Sequence, residues 1–290
     1  MASYLQYIFH KDSERVVSVT MNFNLCGEYS QTKTMKSNFL SICTAAVVMA
    51  SMLFSCNSGS ADKNNNAGAN DSTQTTAIPA PRKERVLTAE EQAALTPDDV
   101  IKSLKEGNQR FVTSNVTARD HSAMVRDAAQ GQFPKAVILS CIDSRIPVED
   151  VFDKGIGDLF VGRVAGNFVN TDLLGSMEFG CKVSGAKLIL VLGHESCGAI
   201  KSAIDDVKLG NITSMLANIR PAVIASQDFS GDKSSKNEAF VNYVLKNNVI
   251  HTMKNIKDKS PILKEMADKG EIKIVGAYYN IQTGAVTFME

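Results

Sequence analysis

Residues 136–145 read AVILSCIDSR and residues 187–198 read KLILVLGHESCG, and these two stretches are the clearest indication of the fold. Each begins with a nearly continuous apolar run and ends in a short segment that holds cysteine or histidine. A short apolar run without alternation is typical of a strand that is buried on both faces of a sheet. Similar runs at residues 159–161 and 272–278 predict two further strands.

Helical stretches separate these runs. Thr96 and Pro97 mark the start of a helix that reaches about Val112, because threonine caps a helix N-terminus and proline suits its first turn. Strands that alternate with helices predict an α/β fold with a mostly parallel β-sheet flanked by helices. The other predicted elements are helices over residues 172–183, 199–207, about 212–225 and about 237–257, and a last antiparallel edge strand over residues 285–288.

The charge and composition of the chain exclude some classes of function. Its 290 residues hold 31 Lys and Arg against 31 Asp and Glu, so the formal net charge is zero. A nucleic-acid-binding protein would need an excess of basic side chains to neutralise phosphates, and no nucleic-acid partner is therefore expected. Hydrophobic residues make up 44% of the chain, which is enough for a packed core and excludes disorder throughout.

Three potential metal ligands follow the strands predicted from residues 136–140 and 187–192. Cys141 comes directly after the first strand, and His194 and Cys197 follow the second. Since the carboxyl ends of parallel strands lie at one edge of the sheet, these side chains converge if the two strands are neighbours. Two thiolates and one imidazole suit zinc, and three protein ligands leave a fourth position open, which distinguishes a catalytic zinc site from a structural one.

An acidic and a basic residue follow the first of these ligands. Asp143 lies two residues beyond Cys141 and can accept a hydrogen bond from a zinc-bound water molecule. Arg145 lies two residues further on and can hold the Asp143 carboxylate with two parallel hydrogen bonds. Such a pair keeps the carboxylate ionised and away from the metal, so we predict that both residues are catalytic.

These residues resemble the motifs of the β-class carbonic anhydrases. That family carries Cys-x-Asp-Ser-Arg, here residues 141–145, and His-x-x-Cys, here residues 194–197. Residues 163–167 (RVAGN) and Gly193 also look like the family pattern. The resemblance extends over about residues 96–290, which is nearly the whole predicted globular part of the chain.

The resemblance implies a fold, an activity and a cofactor. The fold is that of the β-carbonic anhydrases, and one Zn²⁺ per subunit is held by Cys141, His194 and Cys197. The activity is the reversible hydration of carbon dioxide to bicarbonate and a proton, by attack of zinc-bound hydroxide with the help of an Asp143–Arg145 dyad. In some members of the family the aspartate itself takes the fourth zinc position, which gives a closed state.

The resemblance also implies a substrate pocket made of Gln132, Phe160, Phe179 and Gly198. Phe179 stands where plant members have a tyrosine, so a hydroxyl group is missing at this position. Taken alone, Gln132 is also consistent with a solvated turn, and Phe160 and Phe179 with core packing. The family forms its pocket across a dimer interface, which implies a homodimer or a higher homo-oligomer.

Other interpretations of these motifs stay open. A disulfide between Cys141 and Cys197 would suit an oxidising compartment, but it would leave Asp143 and Arg145 unexplained. Zinc hydrolases of carbonyl sulfide or carbon disulfide resemble the carbonic anhydrases in fold and ligands, and a non-catalytic, lipid-anchored zinc protein is a further alternative. A nucleotide-binding domain is disfavoured, because the glycines of residues 155–157 lack the third glycine of the dinucleotide-binding fingerprint.

The N-terminal part of the chain contains a predicted export signal. Residues 37–55 hold no charged side chain and follow Lys36, a pattern typical of a secretory signal. Their apolar run is shorter than the roughly 20 residues that span a bilayer. The run ends in Leu-Phe-Ser-Cys at residues 53–56, which resembles a bacterial lipobox and implies that Cys56 becomes the lipidated first residue of the mature protein. An ordinary signal peptide or an uncleaved anchor is the alternative.

This signal predicts the organisation of the whole chain. A signal must stand at the start of a protein, so Met35 is the predicted translation start, residues 1–34 are a misassigned extension and residues 35–55 are the signal peptide. Residues 57–85, which are rich in Asn, Ser, Ala and Thr, form a flexible tether to one globular domain, residues 86–290. The protein is therefore expected to be exported and held on the bacterial cell envelope, at the periplasmic side or the outer membrane, only through its lipid anchor.

Overall fold

The computed structural model describes residues 85–289. The predicted extension, signal peptide and lipidated Cys56, and all of the predicted tether except Arg85, lie outside the described residues. Among the residues that are described, no helix is both long and apolar enough to cross a membrane. In chain order the elements are α1 (Ala89–Ala94), α2 (Pro97–Val112), α3 (His121–Ala128), β1 (Ala136–Ser140), α4 (Val148–Val151), β2 (Leu159–Arg163), α5 (Thr171–Glu178) followed by a π turn (Phe179–Val183), β3 (Leu188–His194), α6 (Gly198–Ile204), α7 (Gly210–Leu216), α8 (Arg220–Ala225), α9 (Glu238–Lys259), α10 (Pro261–Asp268), β4 (Lys273–Tyr279) and β5 (Val286–Phe288).

The strands form one sheet in the order β2-β1-β3-β4-β5. The first four strands are parallel, and β5 runs antiparallel to β4 at the edge of the sheet. The predicted α/β fold with a mostly parallel sheet is therefore confirmed. The two strands that precede the potential metal ligands, β1 and β3, are direct neighbours inside the sheet. Every residue of both strands is buried.

Helices cover both faces of the sheet. Val137 and Leu139 of β1 pack in one core cluster with side chains of α5, α9 and α10. Ala136 and Ile138 point to the opposite face and pack in a second cluster with side chains of α2 and α4. Burial of both faces explains why the run that predicts β1 is apolar throughout instead of alternating.

Two predicted helices differ from the structure. The helix expected over residues 212–225 is wrong as a single element, because the chain forms α7 and α8 with a break between Leu216 and Arg220. Pro221 has no N–H to give to a preceding turn, so it is placed in the first turn of a new helix. The helix expected over residues 172–183 ends as an α-helix at Glu178 and continues as the π turn.

A buried carboxylate fastens α2 to the segment that follows α4. Asp153 has no exposed side-chain surface and accepts hydrogen bonds from Arg110 of α2, from Arg119, and from the main-chain N–H (3.0 Å) and hydroxyl (2.7 Å) of Thr117. Burial alone would raise the pKa of Asp153, but the hydrogen bonds from Arg110 and Thr117 and the charge of Arg119 lower this pKa to about 2. The carboxylate is therefore ionised at neutral pH.

Candidate metal centre

Three sulfur and nitrogen atoms come together at the carboxyl ends of β1 and β3. Cys141 directly follows β1, His194 is the last residue of β3, and Cys197 caps the start of α6. One ligand atom from each of these residues lies within 4.8 Å of the others, and all three side chains are buried. We call Cys141, His194 and Cys197 the Cys–His–Cys triad. The convergence expected for neighbouring parallel strands is present in the structure.

The imidazole of His194 is oriented for a ligand. Its Nδ1 lies 2.9 Å from the main-chain oxygen of Glu195, so Nδ1 carries the proton and donates it to that carbonyl. Its Nε2 is then an unprotonated acceptor, and this buried atom has no hydrogen-bond partner among the described residues. A buried polar atom without a partner is costly, and a metal ion at the triad would satisfy it.

The hydrogen bond between the two thiols of the triad shifts their pKa values in opposite directions. A hydrogen bond from Cys197, with help from the Gly166 N–H, lowers the pKa of Cys141 to about 4 despite its burial. The hydrogen bond to Cys141, together with burial, raises the pKa of the Cys197 thiol above its usual range. The thiolate form is therefore favoured at Cys141, and a divalent cation would favour it at Cys197 as well, since metal ligation deprotonates a coordinating thiol.

The donor set fits zinc. Two cysteine sulfurs and one imidazole nitrogen, all buried, are ligands that Zn²⁺ prefers, and three protein ligands leave one position for water or substrate. The described cysteines are all free thiols, so the alternative disulfide between Cys141 and Cys197 is not formed. Cys181 packs in the core under the sheet, where burial raises the pKa of its thiol to about 12.

Asp143 and Arg145 form the predicted pair beside the triad. The Arg145 side chain donates from Nε to Asp143 Oδ1 (2.9 Å) and from Nη2 to Oδ2 (2.7 Å), and the Arg145 main-chain N–H also donates to Oδ1 (3.0 Å). These hydrogen bonds hold the pKa of Asp143 well below its usual range. Asp143 Oδ2 lies 3.9 Å from His194 Nε2, so the ionised carboxylate faces the triad.

The turn beside Cys141 explains the glycine of the RVAGN string. The Gly166 N–H lies 3.5 Å from Cys141 Sγ, and Gly166 has a φ of +82°. A Cβ at this position would lie 2.3 Å from Ile219 Cδ1, so only glycine fits without movement. Asn248, a buried polar residue of α9, donates its side-chain N–H to the Gly166 oxygen (2.8 Å). The sequence motifs did not indicate Asn248. An asparagine beside the apolar Val249 in a long helix could have indicated a buried polar contact.

The turn before Cys197 is also held by contacts with α9. Ser196 has a φ of +52°, and its hydroxyl donates to Glu238 Oε2 (3.2 Å) at the start of α9. The other carboxylate oxygen of Glu238 pairs with Lys201 of α6. One carboxylate thus contacts residues on both sides of Cys197, and the sequence motifs gave no indication of this contact.

The predicted pocket residues do not gather around the triad within one chain. Phe160 and Phe179 line a groove of about 610 Å³ between β2 and α5, and no triad residue lines it. Gln132 is exposed in the loop before β1. Gly198 is exposed as the first residue of α6, with open space where a Cβ would lie. The role of these four residues in substrate binding stays a prediction.

Several known proteins are similar to this chain in sequence or in structure. The sequence profile of the carbonic anhydrase family matches residues 136–286. Carbonic anhydrase 2 of Mycobacterium tuberculosis is 36% identical over 189 residues, which are 63% of this chain and 88% of that protein. The solved β-carbonic anhydrase CcaA matches 66% of this chain and 95% of its own, with a TM-score of 0.52 and 24% identity. A tetrameric β-carbonic anhydrase of Sordaria macrospora matches 58% of this chain and 86% of its own, with a TM-score of 0.52 and 20% identity.

The fold is that of the β-carbonic anhydrases, because the solved structures that share it carry that name. The profile covers more than half of the chain, and the chain therefore belongs to the carbonic anhydrase family, a family of enzymes. The predicted family and fold are confirmed. Family and fold together support the hydration of carbon dioxide as the activity.

Proposed function

We propose that this protein catalyses the reversible hydration of carbon dioxide to bicarbonate and a proton at a Zn²⁺ ion held by Cys141, His194 and Cys197. The observation that carries the proposal is the buried Nε2 of His194, which has no hydrogen-bond partner among the described residues and lies 3.9 Å from an ionised carboxylate. One ring nitrogen of this histidine lies within 4.8 Å of two cysteine sulfurs. When bound, zinc would lower the pKa of water from about 16 toward about 7, so that hydroxide is available near neutral pH.

The protein's own groups then hold and orient the reacting atoms. Asp143 Oδ2 accepts a hydrogen bond from the attacking oxygen and so directs its lone pair toward carbon dioxide. Arg145 keeps that carboxylate ionised and fixed, because its fork binds both carboxylate oxygens at once. The Glu195 carbonyl holds the His194 ring in the tautomer whose Nε2 can bind a cation.

We also propose that the functional unit is a homodimer or a larger homo-oligomer. Within residues 85–289, β2 is an outer strand of the sheet and pairs only with β1, so its other edge has no partner strand in this part of the chain. The groove beside it is lined largely by apolar side chains, and Phe179 at its margin is 55% exposed. A second copy of the chain would cover this edge and groove, and tetramers are known for the Sordaria macrospora relative.

The assembly can be tested by replacing Phe179→Asp and comparing molar masses by light scattering. We expect this variant to dissociate, whereas Ile224→Asp, which changes an equally exposed side chain on α8, keeps the wild-type mass. A wild-type protein that is monomeric at micromolar concentration would contradict the proposal.

The activity can be tested on the purified full chain by metal analysis together with stopped-flow measurement of carbon dioxide hydration. We expect about one zinc per chain and hydration that is lost on chelation and restored by Zn²⁺. Release of sulfide from carbonyl sulfide or carbon disulfide without hydration of carbon dioxide would favour the related hydrolases. Bound zinc without turnover of any of these substrates would favour a non-catalytic zinc protein.

We propose, from the sequence of residues 35–56, that the protein is exported and anchored to the cell envelope through a lipid on Cys56. In that setting the enzyme would act on carbon dioxide and bicarbonate outside the inner membrane. Membrane fractionation of cells that express the full chain tests this location.

A further inference from the structure

The loop that carries the first ligand leaves the sheet abruptly. β1 ends at Ser140, and residues 141–146 do not pair with any strand of the described sheet. Carbonyl groups in such a loop need other partners, since an unpaired buried carbonyl costs stability. The residue directly opposite Ser140 in the parallel ladder is Arg163, the last residue of β2.

The guanidinium of Arg163 supplies these partners. Its Nε donates to the Cys141 oxygen (2.8 Å), and its Nη2 donates to the oxygens of Asp143 (2.6 Å) and Ile146 (3.2 Å). All three acceptors are main-chain atoms, and they mark the beginning, middle and end of the loop. One side chain from the neighbouring strand thus spans the whole segment that holds the Cys141 thiol and the Asp143 carboxylate.

We infer that Arg163 is a positioning residue that fixes the Asp143 carboxylate relative to the Cys141 sulfur. The inference deepens the proposed function and rests on it for the role of Asp143. A planar guanidinium presents several donors in a fixed arrangement, so it can bind these oxygens at the same time, whereas an ammonium group concentrates its donors at one atom. Because all three of these Arg163 hydrogen bonds go to main-chain oxygens, their effect on the Asp143 carboxylate passes through the position of the loop.

The role of Arg163 has a consequence for the groove. The same short strand that carries Arg163 also carries Phe160 and Val161, which line the groove beside the sheet edge. The metal loop is therefore fastened to the outermost strand and not to the centre of the sheet alone. A displacement of this strand would be transmitted to Asp143 through the hydrogen bonds of Arg163.

The test compares Arg163→Met and Arg163→Lys with wild type in the full chain. Methionine keeps much of the length and removes every donor, and lysine keeps the charge without the fork. Arg126→Met on α3 is the matched control, because Arg126 is an exposed arginine that makes none of the hydrogen bonds to the loop. Each protein is loaded with Zn²⁺ for activity and, separately, with Co²⁺, whose visible absorption reports the geometry of its ligands.

We expect both Arg163 variants to retain stoichiometric metal and to lose kcat for carbon dioxide hydration, by about 10²-fold for Arg163→Met and less for Arg163→Lys. Their Co²⁺ spectra should differ from wild type, since Cys141 moves with the loop, and Arg126→Met should match wild type in every measurement. If Arg163→Met does not fold, Arg163→Lys decides: wild-type kcat and an unchanged Co²⁺ spectrum in this variant would overturn the inference. If wild type itself fails to hydrate carbon dioxide, the proposed function fails, and the Co²⁺ spectra still decide whether Arg163 sets the ligand geometry.

Discussion

Removal of the Arg145 guanidinium is the perturbation that best separates an active enzyme from a protein that only binds zinc. In Arg145→Ala, the Asp143 carboxylate loses the hydrogen bonds from Nε and Nη2 and keeps the one from the main-chain N–H of the same residue. Two of its three contacts to this residue are lost. With a Zn²⁺ ion bound at the triad, the carboxylate would be free to turn toward that positive charge.

The Asp143 carboxylate would have to move only a short distance to reach the open position of the zinc ion. Asp143 Oδ2 lies 3.9 Å from His194 Nε2. Two ligand atoms at ordinary distances on a tetrahedral zinc ion are about 3.4 Å apart, so a shift of about half an ångström is enough to reach that spacing. Once the carboxylate occupies the open position, water cannot enter, and we expect hydration of carbon dioxide to fall by at least about 10²-fold. Zinc content should stay near wild type, because the triad is intact.

The comparison with Asp143→Ala distinguishes blocking from misorientation. This variant loses the acceptor that orients the attacking oxygen but leaves the fourth position open, so its rate should fall by a smaller factor than that of Arg145→Ala. Rates are measured by stopped-flow, zinc is measured on the same samples, and Arg126→Ala serves as the control for loss of an exposed arginine. If Arg145→Ala hydrates carbon dioxide at the wild-type rate with its zinc retained, the proposed gating is wrong and residues 143–145 form only a structural turn.

Three further predictions concern the metal, the core and the anchor. Alanine at any one position of the Cys–His–Cys triad should remove most of the zinc and nearly all activity, whereas Cys181→Ala should keep stoichiometric zinc; full metal content in a triad variant would exclude that residue from the site. Asp153→Asn should lower the free energy of unfolding by about 3–5 kcal/mol in urea titrations, because two partly buried arginines lose the buried carboxylate that they share. Since the pKa of Asp153 falls from an ordinary value of about 4 to about 2 on folding, this advantage of wild type should be complete above about pH 4 and should decline toward pH 2; a constant difference would contradict it. Cys56→Ser should abolish lipidation and leave the kcat of the enzyme unchanged, and membrane attachment that persists through a salt wash would argue against the lipobox.

The strand ends could be predicted from the sequence because their signals are local. The apolar run at residues 136–140 has the same bounds in the structure, and the ligand residues follow such runs directly. When two parallel strands are adjacent, their carboxyl ends lie side by side, and this places Cys141 near His194. The pairing of Asp143 with Arg145 was equally accessible, since both side chains lie on one short turn.

Contacts between distant segments could not be predicted in this way. The three hydrogen bonds of Arg163 depend on the register that places it opposite Ser140, and no pattern in residues 159–163 specifies that register. The contact of Glu238 with Ser196 likewise joins segments about 40 residues apart. The break between α7 and α8 is a different case, because Pro221 was visible in the sequence and the apolar pattern across it concealed the boundary.

The separation of the triad along the chain links metal supply to folding. Cys141 and His194 are about fifty residues apart, and they meet only when β1 and β3 have paired. An unfolded chain has no such arrangement of donors, so the free energy of zinc binding adds to the free energy of folding by mass action. The ion would then act as a removable cross-link that closes a large loop of the chain. The thermal midpoint of this protein should accordingly depend on the free zinc concentration of the compartment in which it folds, in addition to the sequence of its core.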